Sequence, residues 1–152
     1  MSKYKNLLLN NQLCFALYAA TNTITRSYRS KLSQVDLTYP QYLVMLVLWE
    51  SDGLSVKGLA QKLKLDSPTV TPLIKRLEKA GFLTRQRSEV DERVVNVFLT
   101  EQGNNLEHEV AKLQEKVACE TELAEEEFIE LRDTLHQLVD TMCTNMEKDD
   151  AA

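Results

Sequence analysis

Leu54-Ser55-Val56-Lys57-Gly58-Leu59-Ala60-Gln61-Lys62-Leu63, Asp66-Ser67-Pro68-Thr69-Val70-Thr71-Pro72-Leu73-Ile74-Lys75-Arg76-Leu77-Glu78 and Gly81-Phe82-Leu83 form the stretch that decides the fold. Ser55 can cap a short helix from Val56 to Leu63 that turns Leu59, Ala60 and Leu63 inward. Leu65-Asp66-Ser67 is a tight connection into a further helix running to Ala80, where Gly81 stops it. Ser67-Pro68 and Thr71-Pro72 each read as a cap followed by proline, so the start stays open between them. A start at Ser67 puts Pro72 inside the first turns and leaves a carbonyl near residue 68 without its N–H. From Phe82 the apolar period changes to two. Leu83–Ser88 and Val94–Leu99 then flank Glu89–Arg93 as a β-hairpin with a charged tip. A short helix, a tight turn, a second helix and a charged hairpin make a winged helix-turn-helix.

Outward from that stretch the chain reads as helices. Residues 7–32 contain no Gly or Pro and place Leu9, Leu13, Leu17, Ala20 and Ile24 at helical spacing, predicting one long amphipathic helix. Thr38 caps a helix over about 39–50, with Pro40 in its first turn, and Asp52-Gly53 ends it. That helix is nearly all apolar and belongs at the centre of the core, with Met45 and Trp49 as core side chains. Phe15 reads as core as well. Thr100-x-x-Gly103 opens the C-terminal region, two helices over about 100–118 and 124–147. The second is capped near Thr121 or Leu123 and is rich in Glu at its start; the last few residues are expected to be disordered. The fold class is mainly α (α+β). Residues 1–152 make a single domain, with about 37–99 as the winged region and about 1–36 and 100–148 as helices around it.

The 152 residues are one domain's length, and 43% hydrophobic with 27% charged content excludes a disordered chain. The longest apolar run, Tyr42–Trp49, is too short to span a membrane. Met1-Ser2-Lys3-Tyr4-Lys5 leads into no signal-peptide core, so a cytoplasmic protein is expected. Cys14, Cys119 and Cys143 form no C-x-x-C pair and no zinc spacing, and neither metal nor cofactor is expected. The net charge of −5 argues against nucleic acid until it is divided by region. Residues 1–61 carry six basic and three acidic groups, residues 62–93 eight and five, and residues 100–152 four and fifteen. A basic face can bind phosphate while an acidic segment elsewhere lowers the overall charge.

The helix of residues 67–80 places Ser67, Thr69 and Thr71 at its start and Lys75, Arg76 and Lys79 further along. In a recognition helix the first residues reach base edges and later cations meet phosphates. A plain surface helix would show the same residues; the preceding helix and the hairpin weigh against that reading. Alternation puts Arg85 and Arg87 on one strand face, and Arg93 at the wing tip suits the minor groove. Asp91 cannot favourably approach DNA, so it holds the turn or orients Arg93.

These motifs, with Asp91-Glu92-Arg93, resemble the MarR family of bacterial regulators over nearly the whole chain. Leu13-Cys14-Phe15-Ala16-Leu17-Tyr18, Leu73-Ile74-Lys75-Arg76-Leu77, Tyr28 and Tyr39 resemble its organic-hydroperoxide-sensing OhrR branch, of the two-cysteine type. Pro68 departs from the Gly of that pattern. The resemblance implies a homodimeric, non-enzymatic repressor whose terminal helices form the dimerisation region. It implies binding to pseudo-palindromic double-stranded operator DNA while reduced, and release when organic hydroperoxide oxidises Cys14. It further implies Cys119 of the other subunit as the resolving thiol, Tyr18, Tyr28 and Tyr39 as support, and no role for Cys143.

The residues themselves constrain that implication. Within a helix over 7–32, Cys14 lies away from a helix start, and its neighbours Asn10, Asn11, Leu17 and Tyr18 include no cation. Tyrosine hydroxyls would have to stabilise a thiolate there. Tyr28 is fourteen residues further on, roughly 21 Å along a straight helix. A contact between Cys14 and Tyr28 therefore needs a partner's helix. Two alternatives stay open: a MarR-type repressor released by a reversible phenolic ligand, and a thiol peroxidase, which lacks a nearby His, Arg or Lys for Cys14. A metal sensor lacks a ligand cluster.

Overall fold

The computed structural model describes residues 3–150. It is built from α1 (Leu13–Leu32), α2 (Tyr39–Glu50), α3 (Val56–Lys62), α4 (Ser67–Lys79), β1 (Leu83–Arg87), β2 (Val95–Leu99), α5 (Glu101–Glu120) and α6 (Glu125–Asp150). The order is that expected for a winged helix-turn-helix flanked by helices. The chain divides into two compact units, Met1–Val117 and Ala118–Ala152.

The first helix is shorter than its periodicity predicts. Residues 7–12 do not belong to it: two 3-10 turns, Lys5–Leu7 and Leu9–Asn11, are separated by extended Leu8 and followed by extended Gln12. The cause is local competition by amide side chains. Asn11 donates through Nδ2 to the Lys5 carbonyl at 2.8 Å, and the Gln12 Nε2 donates to the carbonyls of Asn6 and Leu8. α1 then starts at Leu13 and ends in a 3-10 turn at Ser33–Val35, after which Asp36 adopts a left-handed conformation.

α2 begins with a reciprocal cap. The Gln41 amide donates to Thr38 Oγ1 at 3.5 Å, while the Gln41 side-chain oxygen accepts the Thr38 N–H at 2.8 Å. This explains why Gln41 is a buried polar residue in a helix whose Tyr42, Val44, Met45, Val47 and Leu48 are all core. Phe15, read as core, is instead exposed.

Ser55 Oγ accepts from the Gly58 amide at 3.0 Å and starts α3 as expected. For α4 the cap is Asp66, not Ser67 or Thr71: its carboxylate accepts from the Thr69 amide at 2.8 Å. The helix therefore begins at Ser67, with Pro68 in its first turn and Pro72 inside it. Val70, Ile74 and Leu77 bury its inner face.

β1 and β2 pair antiparallel from Leu83↔Leu99 to Arg87↔Val95. The segment before α3 lies along β2: the Gly53 amide donates to the Val97 carbonyl at 3.0 Å and the Val97 amide to the Leu54 carbonyl at 2.9 Å. Asp52 closes this edge by accepting from the Gly53 and Leu99 amides. The wing is thus rooted on both sides of α3.

Thr100 starts α5, its hydroxyl accepting from the Gly103 amide at 3.0 Å and donating to the Gly81 carbonyl at 2.6 Å. Gly103 is buried, and its carbonyl accepts from Trp49 Nε1 at 3.0 Å. A Cβ at Gly103 would run into the Phe82 carbonyl, so glycine serves close approach here. The cap expected near Thr121 or Leu123 belongs elsewhere. The Thr121 hydroxyl donates to the Ala118 carbonyl at the end of α5, and α6 starts after Ala124, whose amide donates to Glu127 at 3.0 Å. α6 runs to Asp150, beyond the expected 147; residues 151–152 of the expected loose end lie outside the described residues.

Replacing Gly103 with Ala is expected to cost about 2 kcal/mol of stability by pushing α5 off Phe82. A urea midpoint equal to that of the unchanged protein would show that the backbones do not approach so closely.

Candidate nucleic-acid interface and thiol site

Burial of Val70, Ile74 and Leu77 turns the rest of α4 outward, so Lys75, Arg76 and Lys79 are exposed together. The hydroxyls at its start have other work. Thr69 gives Asp66 both its hydroxyl and its amide, and these bonds hold the Asp66 carboxyl below the usual carboxylate range. The Thr71 hydroxyl donates to the Ser67 carbonyl at 2.8 Å. Ser67 is half-buried and Thr69 exposed. Of the three, Thr69 and Thr71 use their donors within the helix start and keep acceptor lone pairs.

Leu83, Arg85 and Arg87 share one strand face, as alternation predicts. Opposite them lie Leu99, Val97 and Val95, so this is also the face that buries Leu83 and Val97. Arg85 turns back from it onto α4. Its Nε donates to Glu78 Oε2 at 2.8 Å, its Nη2 lies 2.7 Å from the same oxygen, and its amide donates to Oε1 at 3.2 Å. Hydrogen bonding from Arg85 lowers the Glu78 carboxyl below its ordinary range. Arg87 is exposed.

At the wing tip Ser88 Oγ accepts from the amides of Val90 and Asp91. Asp91 accepts from the Arg93 amide at 3.0 Å and from its Nε and Nη2 at 3.1 and 3.2 Å. Both roles considered for Asp91 are present: it braces the turn and orients Arg93, whose side chain is 91% exposed. The Asp91 carboxyl is lowered by these Arg93 bonds.

Cys14 occupies the second position of α1 and is exposed. The expectation that it lies inside a helix is overturned by the late start at Leu13. Its sulfur stands in the first turn, where unpaired backbone N–H groups make the local field positive. Around it Leu13, Phe15 and Tyr18 are exposed as well. Cys119, in the last turn of α5, and Cys143, on α6, are also exposed. α1 is continuous from Leu13 to Leu32, so Cys14 and Tyr28 stand apart along one helix.

Tyr28 instead joins Tyr39 and Tyr42, with ring centroids 5.1 and 5.2 Å away; Tyr39 and Tyr42 are 5.8 Å apart. Tyr42 was absent from the sequence reading of this group, although its spacing of three from Tyr39 puts the two on one helix face. Burial, then a hydrogen bond with Tyr28, pushes the Tyr42 phenol well above its usual range. Burial and the neighbouring Tyr28 raise Tyr39. Among the described residues no three His, Cys, Asp or Glu gather as a metal site, and no helix is long and apolar enough to cross a membrane.

Residues 26–110 match the family described as transcriptional regulator SarA/Rot. The chain belongs to that family. This SarA/Rot regulator is 40% identical over 93% of its length to the organic hydroperoxide resistance transcriptional regulator of Bacillus subtilis, of which 96% is covered. It is similar to reduced AbfR of Staphylococcus epidermidis bound to DNA, with TM-score 0.79, 32% identity, and coverage of 95% of this chain and 99% of that one. A MarR transcriptional regulator from Methanosarcina mazei shares the fold at TM-score 0.75 and 24% identity, over 85% and 94% of the two chains. The resemblance to organic-hydroperoxide regulators read from the motifs is borne out by the Bacillus relative, and the MarR-type fold by the Methanosarcina structure.

An alkaline titration followed by phenolate absorbance checks the aromatic group. Tyr39 and Tyr42 are expected to ionise above the pH of an ordinary phenol, and Tyr42→Phe should remove the latest component. Their folded values lie above the unfolded value of 10.0, so the stability they contribute is intact below it and falls as pH rises beyond it. Simultaneous ionisation of all the tyrosines would contradict the burial.

Proposed function

We propose that this SarA/Rot regulator is a cytoplasmic redox-sensing repressor, not an enzyme, that holds pseudo-palindromic double-stranded operator DNA as a homodimer while Cys14 is reduced. The observation that carries the reading is the exposed Cys14 at the start of α1, beside the exposed apolar side chains of Leu13, Phe15 and Tyr18. Tyr4, Leu7, Leu8, Leu9, Leu13, Phe15, Tyr18 and Ile24 are exposed toward one end of the sequence. Leu123, Ile129, Leu131, Val139, Met142 and Met146 are exposed toward the other, where α6 buries none of its residues. Exposed apolar surface on this scale calls for a protein partner, and a second copy of the chain fits it. The terminal segments, about 1–36 and 100–148, are then the dimerisation region, and about 37–99 the DNA-binding region of one MarR-type domain. A partner's antiparallel helix would also bring its Tyr28 group to Cys14, with Tyr18 and Tyr39 in support.

The chemistry follows from the thiol. The Cys14 sulfur attacks the outer oxygen of an organic hydroperoxide; the O–O bond breaks, an alcohol leaves, and the sulfur becomes sulfenic acid. The Cys119 thiol of the other subunit then displaces water to form a disulfide. The solved states of AbfR, reduced on DNA, disulfide-formed, and overoxidised on DNA, support a cysteine-based switch here. The hydroperoxide resistance regulator of B. subtilis supports the inducer class. On the DNA side, Lys75, Arg76, Arg87 and Arg93 supply the exposed cations, and Ser67, Thr69 and Thr71 stand at the groove-facing end of α4. Disulfide formation would change the spacing of the two recognition helices, which half-sites one turn apart cannot tolerate.

The test is operator binding under cumene hydroperoxide. Cys14→Ser is expected to stay bound at oxidant levels that release the unaltered protein; release of that variant would remove Cys14 from the mechanism. Cys119→Ser is expected to lose the peroxide-induced dimer band on a non-reducing gel. A persisting band would assign the second thiol elsewhere.

A further inference from the structure

Glu78 is the sole carboxylate within α4, on a helix that also carries Lys75, Arg76 and Lys79. Against a phosphate backbone an unpaired carboxylate there opposes binding. It is not unpaired. One carboxylate takes the Arg85 guanidinium on Oε2 and the Arg85 backbone amide on Oε1, at 2.7–3.2 Å. The amide contact matters because it ties down the strand and not merely a long side chain. Both side chains are about one-third exposed, so solvent weakens the bridge without replacing it.

We propose that Glu78 is a positioning residue for DNA binding: it clasps Arg85, so that the wing is held against the recognition helix and Arg85 serves as a strap and not as a phosphate contact. β1 joins α4 through a short turn at Ala80–Phe82, and the clasp sets the angle at which the strand leaves that turn. The tip has its own brace in Asp91–Arg93 and Ser88, so it moves as a unit. The Glu78–Arg85 pair therefore determines where Arg93 stands relative to Lys75 and Arg76. Groove-binding surfaces on α4 and on the wing must be presented in fixed register to engage one duplex. This inference rests on α4 and the wing forming the DNA-binding face.

The competing role for Arg85, direct contact with phosphate, predicts the opposite sign in one experiment. Glu78→Gln removes a negative charge from the face and releases Arg85. If Arg85 met phosphate, operator binding would tighten. With the clasp, it weakens, by about fivefold. The probe is a duplex selected from a random-sequence pool by the unaltered dimer, with affinity measured at fixed salt. Glu78→Gln, Arg85→Ala and the double variant are expected to show the same loss, because each removes the same bridge. Hydroxyl-radical protection from the wing in the minor groove should fade while guanine protection in the major groove under α4 persists. A loss of stability alone would weaken both footprints together. The reciprocal pair Glu78→Arg with Arg85→Glu should regain part of the affinity.

Tighter or unchanged binding by Glu78→Gln overturns the clasp, as does a double variant weaker than either single one. The underlying reading is checked in a separate variant. If Lys75→Ala with Arg76→Ala binds the selected duplex like the unaltered protein, α4 is not the DNA-facing helix and both statements fall.

Discussion

The apolar character of α2 on nearly every side is the constraint from which the first compact unit is built. This helix buries Tyr42, Val44, Met45, Val47 and Leu48, leaves Leu43 and Leu46 half-buried, and turns only a narrow stripe ending in Glu50 to water. It must be enclosed, and the C-terminal part of α1, α3, α4 and β2 enclose it. Even its polar members are absorbed: Gln41 closes the cap, and the Trp49 ring N–H reaches the Gly103 carbonyl on α5. Burying a hydrogen-bonding group costs little only when its partner is present, and both have one.

That enclosure sets the orientation of α4 and the wing. Val70, Ile74 and Leu77 must face α2, so the lysines and arginine of α4 have only the solvent side left. The wing is anchored from the same core by Leu83 and Val97, by Asp52 at its base and by the 53–55 segment along β2. Arg93 pairs with Asp91 inside the hairpin, and Arg85 pairs with Glu78 of α4. These two bridges brace the hairpin tip and tie β1 to α4.

The two ends of the chain obey a different rule. Over Leu7–Ile24 and along α6 many apolar residues stay exposed, and in the C-terminal part the acidic groups are concentrated, four basic against fifteen acidic over residues 100–152. Glu125, Glu126 and Glu127 in the first turn of α6 complement the positive end of the helix dipole. Leu123, Ile129, Leu131, Val139, Met142 and Met146 are nonetheless exposed on the same segment.

Local chemistry in the sequence was enough to determine the element order, the winged helix-turn-helix, the caps at Thr38, Ser55 and Thr100, the strand bounds to within a residue, and the Asp91–Arg93 brace. Each depends on spacing or on groups a few residues apart. The MarR resemblance rested on the same local motifs. Other features were settled only in three dimensions. The amide side chains of Asn11 and Gln12 capture backbone carbonyls and delay α1 to Leu13, so Cys14 stands at a helix start that apolar periodicity cannot detect. Arg85 pairs with Glu78, Tyr42 joins Tyr28 and Tyr39, and Gly103 lets α5 meet Phe82 because packing brings together residues from different elements. Periodicity reports which face of an element is apolar; it carries no information about which side chain from another element arrives there.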